Sequence, residues 1–257
     1  MPCRFLVVCE SEADFRMVTR LVERVVCECV DYVDDDLLRS CPIWFGLDQN
    51  TPFLKWTEIK NVSARENIPA VRGEFSGRSG EYDARNAIRV FRLFKRWQFK
   101  KQQIDGILLV RDHDGLPGRY DWLIKARESE VEIGDLVVIG IARHERESWA
   151  LTGFSPLNMR EEKSVATLRV ELGFDPCTGS HHLTAKKDDG GYSAKRVLDL
   201  LTEKNYEREE ICWGQTPLAT LRERGEASGL SAFLSEVEDR LAPLFTKRPP
   251  ERDRHPD

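Results

Sequence analysis

The stretch ILLVRDHDG, residues 107–115, joins an apolar run to a densely charged segment. The four apolar residues 107–110 predict a strand that is buried on both faces. Asp112 and Asp114 follow at its end, where two ionised carboxylates so close together repel each other. The stretch therefore predicts a buried strand whose carboxyl end carries acids in need of a counter-charge.

Two further apolar runs, RFLVVC at residues 4–9 and LVVIGIA at residues 136–142, predict strands of the same sheet. The segments between the runs have helical spacing over residues 14–29 and 81–97, and a shorter helix is expected at 119–130. Strands that alternate with helices indicate a parallel sheet covered by helices. The sequence thus predicts an α/β fold.

The chain is expected to divide into a sheet-forming part and a helical part. We predict an α/β domain over residues 1–152, with an irregular insertion at about 30–75 that holds one or two short strands. Residues 153–247 predict a mainly helical C-terminal region, because helix cap and stop signals recur there. Residues 248–257 are charged and rich in proline, which predicts disorder.

The composition argues against several classes of protein. The formal net charge of -5 disfavours a uniformly basic nucleic-acid binder, although a local basic groove remains compatible with it. The sequence has no run of 18 apolar residues, so no membrane span is predicted. The apolar run near the N-terminus predicts a strand rather than a signal peptide. The seven scattered cysteines favour reduced thiols in a cytoplasmic protein over a zinc site.

Acidic residues follow all three predicted strands. Ligands of an open parallel sheet bind beyond the carboxyl ends of its strands, so these acids are expected to converge there. Carboxylate oxygens suit Mg²⁺ or Mn²⁺. The predicted ligands are Glu10, Asp14, Asp112, Asp114 and Glu147.

Simpler interpretations of the same acids exist. An Asp-x-Asp pair after an apolar run is often a turn with capping aspartates, and a lone glutamate after a strand is a weak signal. The spacing does not distinguish Glu145 from Glu147 after the third strand. We favour Glu147, because Trp149 and Leu151 have the spacing of the buried side of one short helix.

The order strand–Glu, helix, strand–DxD, strand resembles the Toprim fold of topoisomerases, primases and OLD-type nucleases. ESEAD at 10–14 is similar to the first motif of that family, with Ser11 where the family usually has glycine. RDHDG at 111–115 resembles the DxD motif, and RESWAL at 146–151 resembles a segment of small stand-alone OLD-like Toprim proteins. The resemblance covers roughly residues 4–152 and implies a Toprim-like sheet flanked by helices.

This resemblance implies a nuclease that cleaves phosphodiester bonds in DNA or RNA with two bound Mg²⁺ or Mn²⁺ ions. Glu10, Asp112 and Asp114 would form the central ligand set, and Asp14 and Glu147 would complete a second position. Glu10 would alternatively act as an acid or base. The resemblance also implies a catalytic lysine, for which Lys186 and Lys187 are the candidates, with Lys186 placed in the catalytic set.

The partners expected from the resemblance are nucleic acid and a separately encoded ATPase, since the chain has no P-loop. A role as an effector of bacterial antiviral defence follows from the resemblance alone. The predicted nucleic-acid contact is a stripe of arginines with helical spacing, for which a merely solvated helix face is the alternative. The stripe consists of Arg85, Arg89, Arg92 and Arg96.

Two other functions remain open at this point. DHDG is superficially similar to the nucleophile motif of haloacid-dehalogenase phosphatases, which would make the protein a metal-dependent phosphatase. That motif normally ends the first strand, whereas DHDG ends a later one. The chain would otherwise be a catalytically silent adaptor that uses its acids for structure and docks a partner protein, and a homo-oligomer is compatible with any of these functions.

Overall fold

The centre of the fold is a five-stranded sheet in which every pairing is parallel. The computed structural model describes residues 3–40, 43–47, 51–71, 81–99, 104–116, 118–185 and 190–246. The strands are β1 (Phe5–Cys9), β2 (Trp44–Phe45), β3 (Leu54–Lys55), β4 (Gly106–Asp112) and β5 (Val137–Ala142). The predicted α/β fold is confirmed.

The strand order places β1 next to β4 and β4 next to β5. Val8 of β1 pairs with Leu109 of β4, and Asp112 at the end of β4 pairs with Ala142 at the end of β5. Since all these strands run in one direction, the residues that follow them meet at a single edge of the sheet. This edge is called the acidic edge below.

Alternate residues of the long strands enter two separate cores. In β4, Leu108 and Val110 belong to one core, while Ile107 and Leu109 belong to the other. Such a pattern follows from the twofold alternation of side chains along a strand, with both faces covered. It explains why the strands are almost continuously apolar in sequence.

In the described part of the first 152 residues, the α-helices are α1 (Glu12–Cys29), α2 (Asp35–Ser40), α3 (Ile59–Arg65), α4 (Glu81–Phe99), α5 (Arg119–Glu128) and α6 (Arg146–Thr152). One face of the sheet is covered by α1 and the C-terminal helices, and the other face is covered by α3, α4 and α5. The predicted insertion at 30–75 thus contains α2, α3 and two short strands, β2 and β3, that pair with β1.

Among its described residues, the part of the chain after Gly153 is helical and contributes no strand to the sheet. Its α-helices are α7 (Met159–Leu172), α8 (Ala194–Thr202), α9 (Tyr206–Gly214), α10 (Leu218–Arg224), α11 (Leu230–Glu236) and α12 (Ala242–Thr246). The C-terminal residues 248–257, predicted to be disordered, lie outside the described residues. The mainly helical C-terminal region is therefore confirmed over residues 153–246 as far as they are described.

The C-terminal helices share a core with the sheet rather than forming a separate one. Phe233 of α11 stacks on Trp149 of α6 with ring centroids 5.0 Å apart. The indole Nε1 of Trp149 donates a hydrogen bond of 2.9 Å to the carbonyl of Ser228. These contacts fix the helical region beside the acidic edge.

None of the described helices is both long and apolar enough to cross a membrane.

Gly153 marks the closest approach between α6 and α9. A Cβ atom at this position would lie 1.8 Å from the carbonyl oxygen of Cys212, which belongs to the backbone and cannot rotate away. We therefore expect Gly153→Ala to lower the free energy of unfolding by about 1–3 kcal/mol, because the two helices must separate. Denaturant unfolding followed by circular dichroism measures this change.

Gly214→Ala is the matched control, since its Cβ would meet nothing nearer than Glu210 Cγ at 3.7 Å. This substitution should leave stability unchanged or raise it slightly, because alanine restricts the unfolded chain more than glycine does. Equal stability of Gly153→Ala and the parent would contradict the close packing of α6 on α9.

Candidate active site

The first strand delivers two of the predicted site residues to the acidic edge. Glu10 follows β1 directly, and Ser11 begins α1 as its N-cap. The backbone N–H of Asp14 donates to Ser11 Oγ at 3.2 Å, and the backbone N–H of Ser11 donates to Asp14 Oδ2 at 2.8 Å. This reciprocal capping box explains the serine after Glu10 and gives Asp14 a structural role as well.

Asp112 lies beside Glu10 at the end of β4. The backbone N–H of Asp112 donates a 3.3 Å hydrogen bond to Glu10 Oε1. Its own carboxylate accepts a hydrogen bond of 2.9 Å from the backbone N–H of Arg146, so it is held from the next strand–helix connection. Glu10 and Asp112 are therefore brought together as the sequence predicted.

Asp114 occupies a tight turn with φ of +51°, a conformation that aspartate tolerates better than most residues. Its Oδ2 atom accepts a 2.7 Å hydrogen bond from Arg119 Nη1 and lies 3.9 Å from Arg111 Nη2. Arg111 also forms an ion pair with Glu10. Asp114 thus belongs to the same cluster as Glu10, and Arg111 lies between them.

Two buried residues support the arginines of this cluster, one from α4 and one from the turn that follows β3. Asp83 Oδ2 lies 2.6 Å from Arg119 Nε, and Asp83 Oδ1 accepts a hydrogen bond of 3.2 Å from the indole of Trp56. The guanidinium of Arg111 lies over the Trp56 ring, 5.1 Å from its centroid. The segment RDHDG is therefore neutralised by its own Arg111 and by Arg119, five residues beyond Asp114.

The connection after β5 contributes Arg146 and Glu147, the first two residues of α6. Arg146 contacts Glu147 Oε1 at 3.0 Å and Asp14 Oδ1 at 3.5 Å. It also forms an ion pair with Glu209 of α9. Glu147, which we favoured over Glu145, thus joins the cluster, while Glu145 is the N-cap residue of α6.

The electrostatic centre of the cluster is the carboxyl group of Asp112. Burial, and then the nearby carboxylates led by Glu10, raise the pKa of Asp112 to about 9. Burial likewise raises the pKa of Glu10 and of Asp14, although Arg111 and Arg146 oppose the rise. The charged form of Asp112 is therefore disfavoured, first by burial and then by the carboxylates around it.

The oxygen atoms of these carboxylates are chemically suited to bind a divalent cation, but their present positions do not form a metal site. Glu10, Asp14 and Asp112 line a small cavity together with Arg111 and Arg146. Among the described residues, however, no three acidic, histidine or cysteine side chains already have the spacing of a metal site. A cation at Glu10, Asp112 and Asp114 would replace the ion pair between Arg111 and Glu10, whereas the other carboxylates near Arg111, those of Asp83 and Asp114, lie 3.9 Å away.

Other predicted residues lie away from the cluster or outside the described part of the chain. Lys186 and Lys187 belong to residues that the structure does not describe. Arg89 Nη1 donates to Asn86 at 2.7 Å, Arg92 donates to the Pro69 carbonyl at 3.1 Å, and Arg96 lies 3.7 Å from Glu66. The stripe lies on α4, the helix that carries Asp83, and Arg85 is the member two residues beyond Asp83 in the sequence.

Several residues of the cluster had no role assigned from the sequence. They are Asp83, Arg111, Arg119, Arg146 and Glu209. Asn205, the N-cap of α9 with acids in the turn after it, is a signal that would have located the helix carrying Glu209. No local signal indicates that Glu209 reaches Arg146, because the two are 63 residues apart.

The position of Asp112 yields a stability prediction. Its raised pKa means that the folded protein holds this proton more tightly than the unfolded chain, so stability falls as pH rises from about 4 to about 9. Asparagine carries no charge and can still accept the hydrogen bond from the Arg146 backbone. We expect Asp112→Asn to raise the free energy of unfolding in EDTA by about 1–3 kcal/mol, more at pH 9 than at pH 5.

Saturating Mg²⁺ should reverse this order, because a ligand that binds only the folded parent stabilises it. Asp135→Asn is the control, since Asp135 is fully exposed. Thermal and denaturant melts with Mg²⁺ and with EDTA measure both effects. Identical responses of parent, variant and control to pH and Mg²⁺ would mean that DHDG serves only as a turn.

Comparisons with known proteins provide no relative from which to transfer a role. No protein-family model, no curated protein and no solved structure matches the chain. The activity of the site must therefore be inferred from its own residues and geometry.

Proposed function

We propose that the protein is a metal-dependent nuclease of Toprim type that hydrolyses phosphodiester bonds in DNA or RNA. The observation that carries the proposal is the burial of Asp112 among other carboxylates at the ends of three parallel strands. A carboxyl group whose pKa is raised in this way gains most from a nearby divalent cation. Perturbed carboxylates grouped at such an edge are typical of functional sites.

Glu10, Asp112 and Asp114 would hold Mg²⁺ or Mn²⁺ in this proposal. The cation, when bound, supplies an activated water and neutralises charge on the phosphate. Glu10 would alternatively take or give a proton, since burial raises its pKa. Arg119, almost fully buried, keeps Asp114 in place by its 2.7 Å hydrogen bond.

Arg111 has a second role in the proposal. Its guanidinium contacts Glu10 and rests over the Trp56 ring, and it is only 14% exposed. When Glu10 and Asp114 turn to a cation, the guanidinium stays near the reacting phosphate. It would stabilise the developing negative charge, a task for which the family resemblance makes Lys186 and Lys187 the candidates.

The proposal extends to the partners, the biological role and the location of the protein. The chain would act on nucleic acid, with a separately encoded ATPase as partner, as an effector of antiviral defence in the cytoplasm. The cysteines in the described part of the chain are all free thiols, in keeping with a reducing compartment. A homo-oligomer is compatible with this setting.

A second candidate is a non-catalytic adaptor whose charged cluster is structural. The observation that favours it is the extent of buried ion pairing: Arg111, Arg119 and Arg146 each contact at least two carboxylates. Buried pairs of this kind hold a fold in one arrangement without any catalysis. Cleavage assays with matched variants distinguish this candidate from the nuclease.

The nuclease proposal predicts cleavage of plasmid DNA, single-stranded DNA or transfer RNA by the purified protein in Mg²⁺ or Mn²⁺, but not in EDTA. Glu10→Gln and Asp112→Asn should reduce the rate at least about 100-fold, because both remove a proposed cation ligand. Gel assays of the end-labelled substrates measure the rates.

Glu12→Gln and Asp135→Asn are matched controls, as both acids are exposed and lie outside the cluster. These controls should cleave at the rate of the parent. Cleavage that persists in both Glu10→Gln and Asp112→Asn would identify a contaminating nuclease. A parent without cleavage that still captures its partner would instead support the adaptor.

The arginine stripe of α4 gives a separate prediction. Arg89 lies between Arg85 and Arg92, and burial together with these neighbours lowers its pKa, so a phosphate beside the stripe would relieve repulsion. Arg89→Ala and Arg92→Ala should each weaken nucleic-acid binding and reduce the slope of log affinity against log salt by about 1. Fluorescence anisotropy in EDTA at several salt concentrations measures both quantities.

Lys163→Ala on α7 is the control for this measurement, because it removes one exposed positive charge far from α4. Its salt slope should match that of the parent. Parent-like slopes in Arg89→Ala and Arg92→Ala would show that the stripe only packs α4 against its neighbours.

A further inference from the structure

Arg146 is placed in the cluster as a cation would be. It is the first residue of α6, its side chain is 13% exposed, and each of its three guanidinium nitrogens faces a different carboxylate. Nε lies 3.5 Å from Asp14, Nη2 lies 3.0 Å from Glu147, and Nη1 pairs with Glu209. Three carboxylates from three helices thus surround one permanent positive charge.

Asp14 and Glu147 are two of these carboxylates, and they are also the residues assigned to the second metal position from the sequence. The third, Glu209, is 14% exposed and comes from the helical C-terminal region. Glu209 is held in place by α9, whose Arg208 pairs with Glu161 at 2.8 Å and whose N-cap Asn205 anchors the first turn. The second position therefore already has a cation and a complete set of partners.

Arg146 also connects this position to the first one. Its backbone N–H holds Asp112 Oδ1 at 2.9 Å while its side chain is fixed by the three carboxylates. A divalent ion in the second position would have to expel a buried guanidinium together with its ion pairs. Leaving that guanidinium buried without partners would be strongly unfavourable.

We propose that the Arg146 guanidinium is the resident cation of the second position, that it excludes a divalent ion from it, and that Glu209 is a positioning residue. This inference builds on the proposed metal-dependent function and deepens it by fixing the number of ions. The protein then works with at most one divalent ion, at Glu10, Asp112 and Asp114. The fixed positive charge of Arg146 replaces the second ion and orients Asp112 through its backbone.

The test counts Mn²⁺ ions bound to the full chain without nucleic acid, by isothermal titration and by electron paramagnetic resonance of free Mn²⁺. Arg146→Gln is expected to bind one more Mn²⁺ per chain than the parent, because Asp14, Glu147 and Glu209 lose their cation. Arg146→Lys keeps a positive charge and should bind the same number as the parent. Adding Glu209→Gln to Arg146→Gln should abolish the additional ion.

The role of Glu209 is tested separately, by the Mn²⁺ affinity of its variants. Glu209→Gln should weaken Mn²⁺ binding at the remaining position about tenfold, because Arg146 then holds Asp112 less firmly. Glu209→Asp should restore part of that affinity. A purely structural role would lower the melting temperature without changing the Mn²⁺ affinity, and that result would overturn the assignment of Glu209.

Equal Mn²⁺ counts for the parent and a folded Arg146→Gln would overturn the proposal. If Arg146→Gln fails to fold, the Mn²⁺ count of the parent tests the proposal. A second Mn²⁺ that disappears in Glu209→Gln would show a metal ion at the second position and overturn the proposal, whereas a single Mn²⁺ would support the resident guanidinium.

Failure of the nuclease proposal gives a different result. A parent that cleaves nothing, or binds no Mn²⁺, would contradict that function, while one ion gained by Arg146→Gln would still support this inference.

Discussion

Neutralisation of like charges at one edge of a parallel sheet is the constraint on which this structure depends. Parallel strands bring their carboxyl ends together. Here Glu10 follows β1, β4 ends in Asp112, and β5 leads into a helix that begins with Arg146 and Glu147. Burial, and then repulsion by the neighbouring carboxylates, raises the pKa of Asp112 to about 9. Arg111, Arg119 and Arg146 supply positive charges next to these acids.

These arginines also join parts of the chain that are distant in sequence. Arg119 links the turn after β4 to Asp83 of α4 on one face of the sheet, and Arg146 links α1 and α6 to Glu209 of α9 on the other. Buried ion pairs contribute little net stability, since desolvation offsets their attraction. Their effect is to fix one arrangement of helices around the acidic edge, whether the cluster is catalytic or structural.

The amino-acid sequence determined much of the fold because the relevant signals are local. Continuous apolar runs predicted β1, β4 and β5, and recurring cap and stop signals predicted the mainly helical region after residue 152. Strand alternation with helices predicted the parallel sheet, and parallel strands in turn predicted that Glu10 and Asp112 would meet.

Only the tertiary structure decided which charges neutralise the acids. The family resemblance implied one cation at Glu10, Asp112 and Asp114 and a second at Asp14 and Glu147. The structure places the guanidinium groups of Arg111 and Arg146 against these carboxylates. An ion pair depends on distance through space, and Glu209 approaches Arg146 only because Gly153 lets α9 pack directly against α6. A short stretch of sequence cannot predict that Glu209 approaches Arg146, because the approach results from the packing of the whole core.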